Sequence, residues 1–253
     1  MKRRNLLHTV ATLPLLSGGL AFLSAPTKAA KAGAARTLRR VRPSDASWPG
    51  AASWEKLRET VEGNLIEVGA MFDSCGAGPE GAACRDVAQY VKNPYWLGDQ
   101  VAGTQVSGLL DGWTPVPSAR AIQARNTADV VAGVNFAREN NLRLVVKGGG
   151  HSYYGTSNAP DSLLIWTRAM NKVTLHDAFV GQGCAGRIAP LPAVSAEAGA
   201  VWIDLYELVT TKGGRYVQGG GCMTVGVAGL LLGGGFGSYS KRKLSPLTAV
   251  YEW

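Results

Sequence analysis

Two glycine-rich segments limit what this chain can fold into. The first, Gly148-Gly149-Gly150, directly follows the apolar run of residues 142–147, and the second places 11 glycines among residues 213–237. Glycine lets a backbone approach an anion closely, and consecutive N–H groups can then point at one ligand. Because apolar residues interleave the second segment, it does not resemble a flexible linker. Both segments are therefore predicted to be ordered loops, with a simple tight turn as the alternative for the first.

The chain is long and apolar enough to bury a core. Its 253 residues are 46% hydrophobic and 17% charged, which excludes wholesale disorder and a collagen-like fibre. Helical and strand patterns are mixed along the chain and no internal repeat is visible. This pattern favours an α+β fold, built from two small lobes.

The basic character of the chain is confined to its N-terminus. The net charge is +8, yet residues 43–253 hold 17 basic and 18 acidic side chains. A nucleic-acid-binding face needs clustered Lys and Arg on the folded part. We therefore expect no nucleic-acid partner.

Residues 1–32 have the anatomy of a cleaved export signal. Lys2, Arg3 and Arg4 precede a mostly apolar stretch over residues 6–25, and Ala30-Lys31-Ala32 offers a cleavage site. The paired arginines resemble the twin-arginine signal of bacteria. This predicts a periplasmic or secreted protein with no membrane association after cleavage; an uncleaved membrane anchor is the alternative.

Hydrophobic spacing predicts the main elements. Trp54, Leu57, Val61 and Leu65 suggest a helix within residues 53–69, and residues 74–123 read as loop-rich. Asn126 or Thr127 is expected to cap a helix that ends at residues 140–141 and carries an apolar face of Val130, Val131, Val134 and Ala137. Strands are predicted at residues 142–147, 163–166, 172–175, 193–198 and 215–218, and a further helix at residues 201–212.

The four cysteines divide into one short-range pair and two isolated residues. Cys75 and Cys84 flank a loop containing Gly and Pro, and a disulfide between them is plausible in an exported protein. Cys184 and Cys222 can pair with each other, or one of them can be committed to other chemistry.

Most matches to short sequence motifs are not supported by the residues around them. Residues 181–186 fit G-x-G-x-x-G, but Pro190 and Pro192 follow where a dinucleotide-binding helix should begin. Ser152 lies in an incomplete nucleophile elbow, and His176 is expected to be a surface histidine. No metal site is expected, because His and Cys lack ligand spacing.

Two segments in order carry a specific resemblance. Residues 144–155 and 220–237 together resemble the berberine-bridge-enzyme-like FAD-linked oxidoreductases of the vanillyl-alcohol-oxidase superfamily. The resemblance runs over residues 114–241. It implies a two-lobed FAD-binding domain of the p-cresol-methylhydroxylase (PCMH) type over residues 114–253, with its second lobe incomplete, after a helical and loop extension at residues 33–113.

The resemblance also assigns the cofactor-binding residues. His151 matches the histidine joined to the flavin 8α-methyl, and Cys222 matches the cysteine joined to flavin C6 in bicovalent members. A neutral imidazole and a thiolate are suitable nucleophiles for these positions. His151 could instead be an ordinary loop histidine, and Cys222 a small buried hydrophobe or a partner of Cys184. The remaining implied FAD contacts are Lys147, Gly148, Gly149, Gly150, Ser152, Gly155, Thr224, Val225, Gly226, Gly229, Gly234 and Gly235.

The implied activity is oxidation of an alcohol or sugar-like small molecule. Hydride would pass from a substrate C–H bond to flavin N5, and O₂ would reoxidise the flavin. After Lys243 the sequence departs from the family pattern, which predicts a product truncated before the substrate lobe and leaves the catalytic residues unknown. A non-catalytic flavin-binding fragment is therefore a second hypothesis, and a serine hydrolase a distant third.

Overall fold

The computed structural model describes residues 39–76, 78 and 80–237. The helices are α1 Ala51–Thr60, α2 Ala82–Tyr90, α3 Pro94–Gly98, α4 Thr127–Glu139, α5 Trp202–Leu205 and α6 Val227–Leu232. The strands are β1 Leu65–Glu67, β2 Arg120–Gln123, β3 Arg143–Lys147, β4 Ser162–Trp166, β5 Val173–Phe179 and β6 Leu191–Ala196. A 3₁₀ turn covers Asp73–Cys75, and α5 continues into a π-helical stretch, Tyr206–Lys212. The mixture of helices and sheets is the predicted α+β class.

The first lobe is built on a four-stranded sheet in the order β1-β2-β4-β3. β4 pairs in parallel with β2 and β3, and β1 adds an antiparallel edge. Every residue of β4 is buried, which explains its continuous apolar run, since a central parallel strand is covered on both faces. Lys147 and Trp166 are paired at the ends of β3 and β4, so the loops after both strands leave from one edge of the sheet.

Helices α1 and α4 cover one face of this sheet. Trp54 and Leu57 of α1 join Ile122, Leu163 and Ile165 of the strands in one buried cluster. A smaller cluster of Ala121, Leu164 and Trp166 lies on the other face, against which Val101 packs. Because the sheet is buried on both faces, the loops that follow β3 and β4 at its carboxyl edge have a fixed position.

The second lobe consists of the antiparallel β5–β6 pair with α5 and α6. Trp202 and Leu205 of α5 pack against Val227 and Leu231 of α6 in a separate core. The G-x-G-x-x-G match at residues 181–186 lies in the turns between β5 and β6. A dinucleotide-binding interpretation of that match is therefore excluded.

Helix α4 confirms the predicted boundaries and part of the predicted face, since Ala137 is buried in the core cluster and Val130 packs against it. Asn126 Oδ1 accepts a hydrogen bond from Asp129 N at 3.0 Å, and Asn140 is the C-cap. Val131 and Val134, however, are 51% and 42% exposed, while Gly133 and Ala137 are buried. The helix turns its glycine toward the sheet because this lets Ile122 and Ile165 approach closely.

Several predicted element boundaries are wrong. The helix expected within residues 53–69 ends at Thr60, because Glu62 and Gly63 adopt φ of 51° and 85° and the chain then enters β1. The region 74–123 contains α2, α3 and β2, so it is less loop-rich than expected. β5 extends beyond residue 175 to Phe179, β6 occupies Leu191–Ala196, and no strand forms at residues 215–218.

The cysteine prediction is resolved in favour of the short-range pair. Cys75 and Cys84 form a disulfide with an S–S distance of 2.03 Å. Cys184 and Cys222 are both free thiols, so they are not partners of each other.

The predicted signal at residues 1–32 lies outside the described residues. Across the part of the chain that is described, no helix has both the length and the apolar character needed to cross a membrane.

Candidate functional site

The two predicted glycine loops meet in the structure. A Cβ on Gly149 would lie 2.7 Å from both Gly226 N and Thr224 O. A Cβ on Gly226 would likewise lie 3.0 Å from Gly149 N. Only glycine allows the two backbones to approach so closely, which explains why both segments need it.

The first loop presents a row of unpaired N–H groups. Gly149 and Gly150 are buried, and Gly150 has φ of +77°. Within residues 39–76, 78 and 80–237, the N–H groups of Gly149, Gly150 and His151 have no hydrogen-bond acceptor. Since buried backbone donors are normally paired, three consecutive free donors form a cradle for an anion such as a diphosphate.

His151 reaches from the first loop to the second. Its Nε2 lies 3.0 Å from Thr224 Oγ1, and Thr224 is 6% exposed. Cys222 Sγ lies 3.7 Å from the same Thr224 Oγ1. Burial lowers the pKa of His151, and hydrogen bonding to the Thr224 backbone partly offsets that lowering. The imidazole is therefore neutral at pH 7, beside a free and exposed thiol.

Ser152 and Gly155 shape the loop that follows. Ser152 Oγ accepts hydrogen bonds from the N–H groups of Tyr154 and Thr156, both at 3.2 Å, and lies 2.7 Å from Thr156 Oγ1. Gly155 has φ of +71°, and a Cβ there would lie 2.7 Å from the Trp113 ring. These contacts assign Ser152 to loop structure rather than to nucleophilic chemistry.

His176 is not the surface residue that the sequence predicts. It lies within β5, half-buried, with Nε2 2.9 Å from Ser195 Oγ on β6. The Phe179 ring lies 5.0 Å away, centroid to centroid. His176 is thus a sheet residue with a cross-strand partner.

Lys147 is buried at the end of β3, directly before the cradle. It is 2% exposed, and its Nζ donates to the carbonyl oxygens of Gln100, Val101 and Gly103 at 3.2, 2.5 and 2.8 Å. Burial lowers its pKa to about 7. The protonated group, present below about pH 7, donates to the backbone of residues 100–103.

The other residues predicted to contact FAD lie either at the junction of the two loops or in and after α6. Val225 lies at the loop junction, where its N–H donates to Cys222 O at 3.3 Å. Gly229 lies inside α6, and Gly234 and Gly235 follow that helix with φ of +91° and +52°. These three glycines therefore belong to α6 and the turn after it, whereas Val225 belongs to the junction itself.

Sequence reasoning missed the support beneath the second loop. Tyr206 OH donates to Gly220 O at 2.5 Å, and the Trp202 and Tyr206 rings stack with centroids 5.5 Å apart. A Cβ on Gly219 would overlap the Trp202 ring, so the glycine is needed there. The π-helical stretch that begins at Tyr206 marks this support, and residue spacing does not reveal it.

The polar groups of the site are backbone donors, one imidazole, one hydroxyl and one thiol. In the described ranges, no three His, Cys, Asp or Glu side chains group closely enough to hold an ion. The three free N–H groups of residues 149–151 suit an anionic group.

Comparison with known protein families decides what this arrangement is. The model of the "FAD binding domain" family matches residues 118–246, which include both glycine loops and all of β2 to α6. This chain belongs to that FAD-binding family. The anion cradle and the close approach of the two loops fit the diphosphate of FAD, so FAD is the cofactor of this family member.

Individual relatives agree with this membership. The FAD-linked oxidoreductase easE of Claviceps fusiformis is 33% identical over 220 residues, covering 78% of this chain and 37% of that protein. The VAO-type flavoprotein oxidase VAO615 of Thermothelomyces thermophilus is 27% identical over 232 residues, covering 85% and 39% respectively. This chain thus spans less than two fifths of the length of these relatives.

A solved structure confirms the fold. The VAO-type flavoprotein MtVAO615 from Myceliophthora thermophila C1 superposes with a TM-score of 0.70 at 24% identity, covering 82% of this chain and 40% of that one. The predicted PCMH-type FAD-binding fold is therefore correct for the part of the chain that is described.

Proposed function

We propose that this FAD-binding chain holds its cofactor covalently through His151, with Cys222 as a second attachment point. We also propose that it works as an oxidoreductase, which oxidises an alcohol or sugar-like substrate. The observation that carries this proposal is the line of His151, Thr224 and Cys222 beside the anion cradle. These three groups come from two loops, and all lie within the stretch that the FAD-binding family model matches.

The state of His151 suits covalent attachment. Because burial lowers its pKa, the imidazole keeps a free lone pair at pH 7. When Thr224 Oγ1 accepts a hydrogen bond from Nε2–H, the lone pair of Nδ1 is left for bond formation. Bound FAD would supply the 8α-methyl carbon. Replacing one of its C–H bonds by a C–N bond to His151 would release two protons, one from the methyl group and one from the imidazole, and two electrons that O₂ would accept.

Cys222 is suited to the second attachment. Its thiol is exposed and unpaired, and Thr224 Oγ1 lies between it and His151. The thiolate is the reactive form of cysteine, and the exposure of Cys222 leaves its sulfur accessible to a bound cofactor. One hydroxyl thus touches both proposed attachment points.

The oxidase part of the proposal rests on the relatives. VAO615 is named a flavoprotein oxidase, and easE an FAD-linked oxidoreductase. By analogy, a small-molecule substrate transfers hydride to flavin N5 and O₂ reoxidises the flavin. The second hypothesis, flavin binding without turnover, predicts the same FAD contacts but no oxidation of substrate.

We also propose that the protein is exported. The basic and apolar leader at residues 1–32 supports this, as does the Cys75–Cys84 disulfide, because structural disulfides persist mainly in oxidising compartments. N-terminal sequencing of protein from the medium or periplasm should find a start near residue 33. Full-length protein recovered from the cytosol with reduced Cys75 and Cys84 would contradict this.

Acid precipitation tests the covalent attachment. The wild-type pellet should stay yellow, and denatured chains should fluoresce in a gel under ultraviolet light. His151→Ala and Cys222→Ser should each retain flavin, and the double variant should lose it. A colourless wild-type pellet contradicts covalent attachment, and colour retained in the double variant contradicts these two residues. Turnover of alcohols or sugars with O₂ consumption then separates the oxidase from the non-catalytic fragment.

A further inference from the structure

A segment outside the matched family domain touches the cofactor loop. The family match begins at residue 118, whereas residues 100–105, which we name the clamp segment, lie upstream of it. The clamp segment contacts the loop at two points, Lys147 before the cradle and Gly150 within it. These contacts place residues from the N-terminal extension beside the FAD site.

The first contact joins one ammonium group to three carbonyls. Lys147 Nζ has three N–H donors, and the oxygens of Gln100, Val101 and Gly103 provide three acceptors. The Trp166 ring lies 5.4 Å from Nζ and covers it from the sheet side. One buried side chain thus binds three carbonyls of the clamp segment, and Asn158 Nδ2 donates to a fourth, Ala102 O, at 3.1 Å.

The second contact is between backbones. Gln105 N–H donates to Gly150 O at 2.9 Å, and the main chain of Gly103 and Thr104 lies within 3.6 Å of the position that a Gly150 Cβ would take. Gly150 is the central residue of the anion cradle. The clamp segment therefore lies directly against the middle of the three residues whose N–H groups are free in the described ranges.

Other charged groups near Lys147 are already paired. Arg168 Nε donates to Asp99 Oδ1 at 2.8 Å, next to the clamp segment, and Arg168 also lies 3.9 Å from Asp204. Lys147 thus faces backbone carbonyls and an aromatic ring, with Asp99 and Arg168 neutralising each other. Its contribution acts through hydrogen bonds rather than through an ion pair.

We propose that Lys147 is a positioning residue for the cofactor, which holds the clamp segment against Gly150 and so fixes the three free N–H groups toward the FAD diphosphate. The cofactor site then extends beyond the family domain to residues 100–105. This inference rests on FAD binding at the cradle, and it adds residues that support the cradle without touching FAD.

Replacement of Lys147 by Met tests the proposal, because Met keeps the shape and packing against Trp166 but removes every donor. In the full 253-residue chain at pH 6.0, Lys147→Met should weaken non-covalent FAD binding about tenfold, as expected for loss of charged hydrogen bonds. The His151→Ala, Cys222→Ser background keeps the measured binding reversible. Lys172→Met, at an exposed lysine before β5, is the matched control and should bind as its parent does.

Hydrogen–deuterium exchange provides a readout that needs no FAD. Lys147→Met should lose protection in residues 100–105 and 148–152 while α4 and β4 keep theirs. A pH series adds a signature that a packing defect lacks. Since a neutral amine has only two N–H donors, the parent protein should bind FAD less tightly at pH 8.5 than at pH 6.0, and Lys147→Met should show no such change.

The outcomes separate this inference from FAD binding itself. Unchanged FAD affinity and unchanged exchange in Lys147→Met would overturn the positioning role. A parent protein that binds no FAD would refute cofactor binding, while its exchange pattern would still decide whether Lys147 holds the clamp segment. If Lys147→Met does not fold, pH-independent FAD binding by the parent between pH 6.0 and 8.5 would overturn the proposal.

Discussion

His151 and Thr224 are 73 residues apart in the chain, and their side chains meet with Nε2 and Oγ1 separated by 3.0 Å. The contact bridges a loop that leaves the first-lobe sheet and a loop that precedes α6 of the second lobe. Formation of the FAD site therefore depends on both lobes being folded.

Gly149→Ala should separate the loops. Its Cβ would lie 2.7 Å from Gly226 N and Thr224 O, and backbone atoms cannot move aside as a flexible side chain can. We expect a loss of about 2 to 3 kcal/mol in the free energy of unfolding, typical of overpacking. Urea denaturation measures the change.

Gly229→Ala is the matched control, because a Cβ at this helical position meets nothing within 4 Å. It should be neutral or stabilise the protein by up to about 1 kcal/mol. Equal effects of the two alanine substitutions would show that the loops are not in tight contact.

Acidification should destabilise the protein through His151. Its pKa is lowered in the folded state, so below the unfolded-state value of about 6.5 the unfolded chain binds a proton that the folded chain does not. The free energy of unfolding therefore falls as the pH falls from 7 to 5, by less than about 1.4 kcal/mol per pH unit for one group. Chemical denaturation of wild type and His151→Gln across this range measures it; parallel curves would contradict the prediction.

Alkaline pH should have the opposite effect through Lys147. The folded-state pKa is about 7, against 10.5 for an unperturbed lysine, so the unfolded chain holds the extra proton between these values. The free energy of unfolding should rise with pH, on the order of 1.4 kcal/mol per unit, relative to Lys147→Met. Urea titrations at pH 7, 8 and 9 provide the comparison. A difference that does not grow with pH would show that Lys147 stays protonated.

Tyr206→Phe should loosen the loop that carries Cys222. The substitution removes the donor to Gly220 O and leaves a half-buried carbonyl unpaired, which costs about 1 to 2 kcal/mol. In a Cys184→Ser background, Cys222 should react faster with a thiol reagent. Tyr154→Phe, at a tyrosine that is 89% exposed, should change neither stability nor thiol reactivity. Unchanged reactivity in Tyr206→Phe would contradict the support role.

The sequence predicts the first lobe well where local signals and packing agree. The cap at Asn126 and the apolar strand β4 are correct, because a capping side chain and a fully buried strand leave strong local patterns. β1 is not predicted, because its three residues continue the helical spacing of apolar residues. They form a strand because they pair with β2. Val130 and Ala137 of the predicted α4 face do contact the core, but the burial of Gly133 could not be predicted, because it depends on the two isoleucines that lie beneath it.

In the candidate site, too, some features could be predicted from sequence and others could not. The two glycine loops could be found from sequence, because the order of their glycines resembles that of the FAD-linked oxidoreductases. The partners of Lys147 and Tyr206 could not, since they are backbone carbonyls 44 to 47 and 14 residues away, and a carbonyl has no sequence signature. Such contacts depend on how loops pack.

The clamp segment has a practical consequence for transplanting this cofactor module. A graft that began at residue 118, where the family match starts, would carry Lys147 into the new host without its three oxygen acceptors. That host would then contain an uncompensated buried cation at the base of the cradle. A graft that starts before Asp99 keeps donor, acceptors and the Asp99–Arg168 pair on one piece. It must start before α1 to keep that helix and β1 as well, because both belong to the core and sheet of the first lobe.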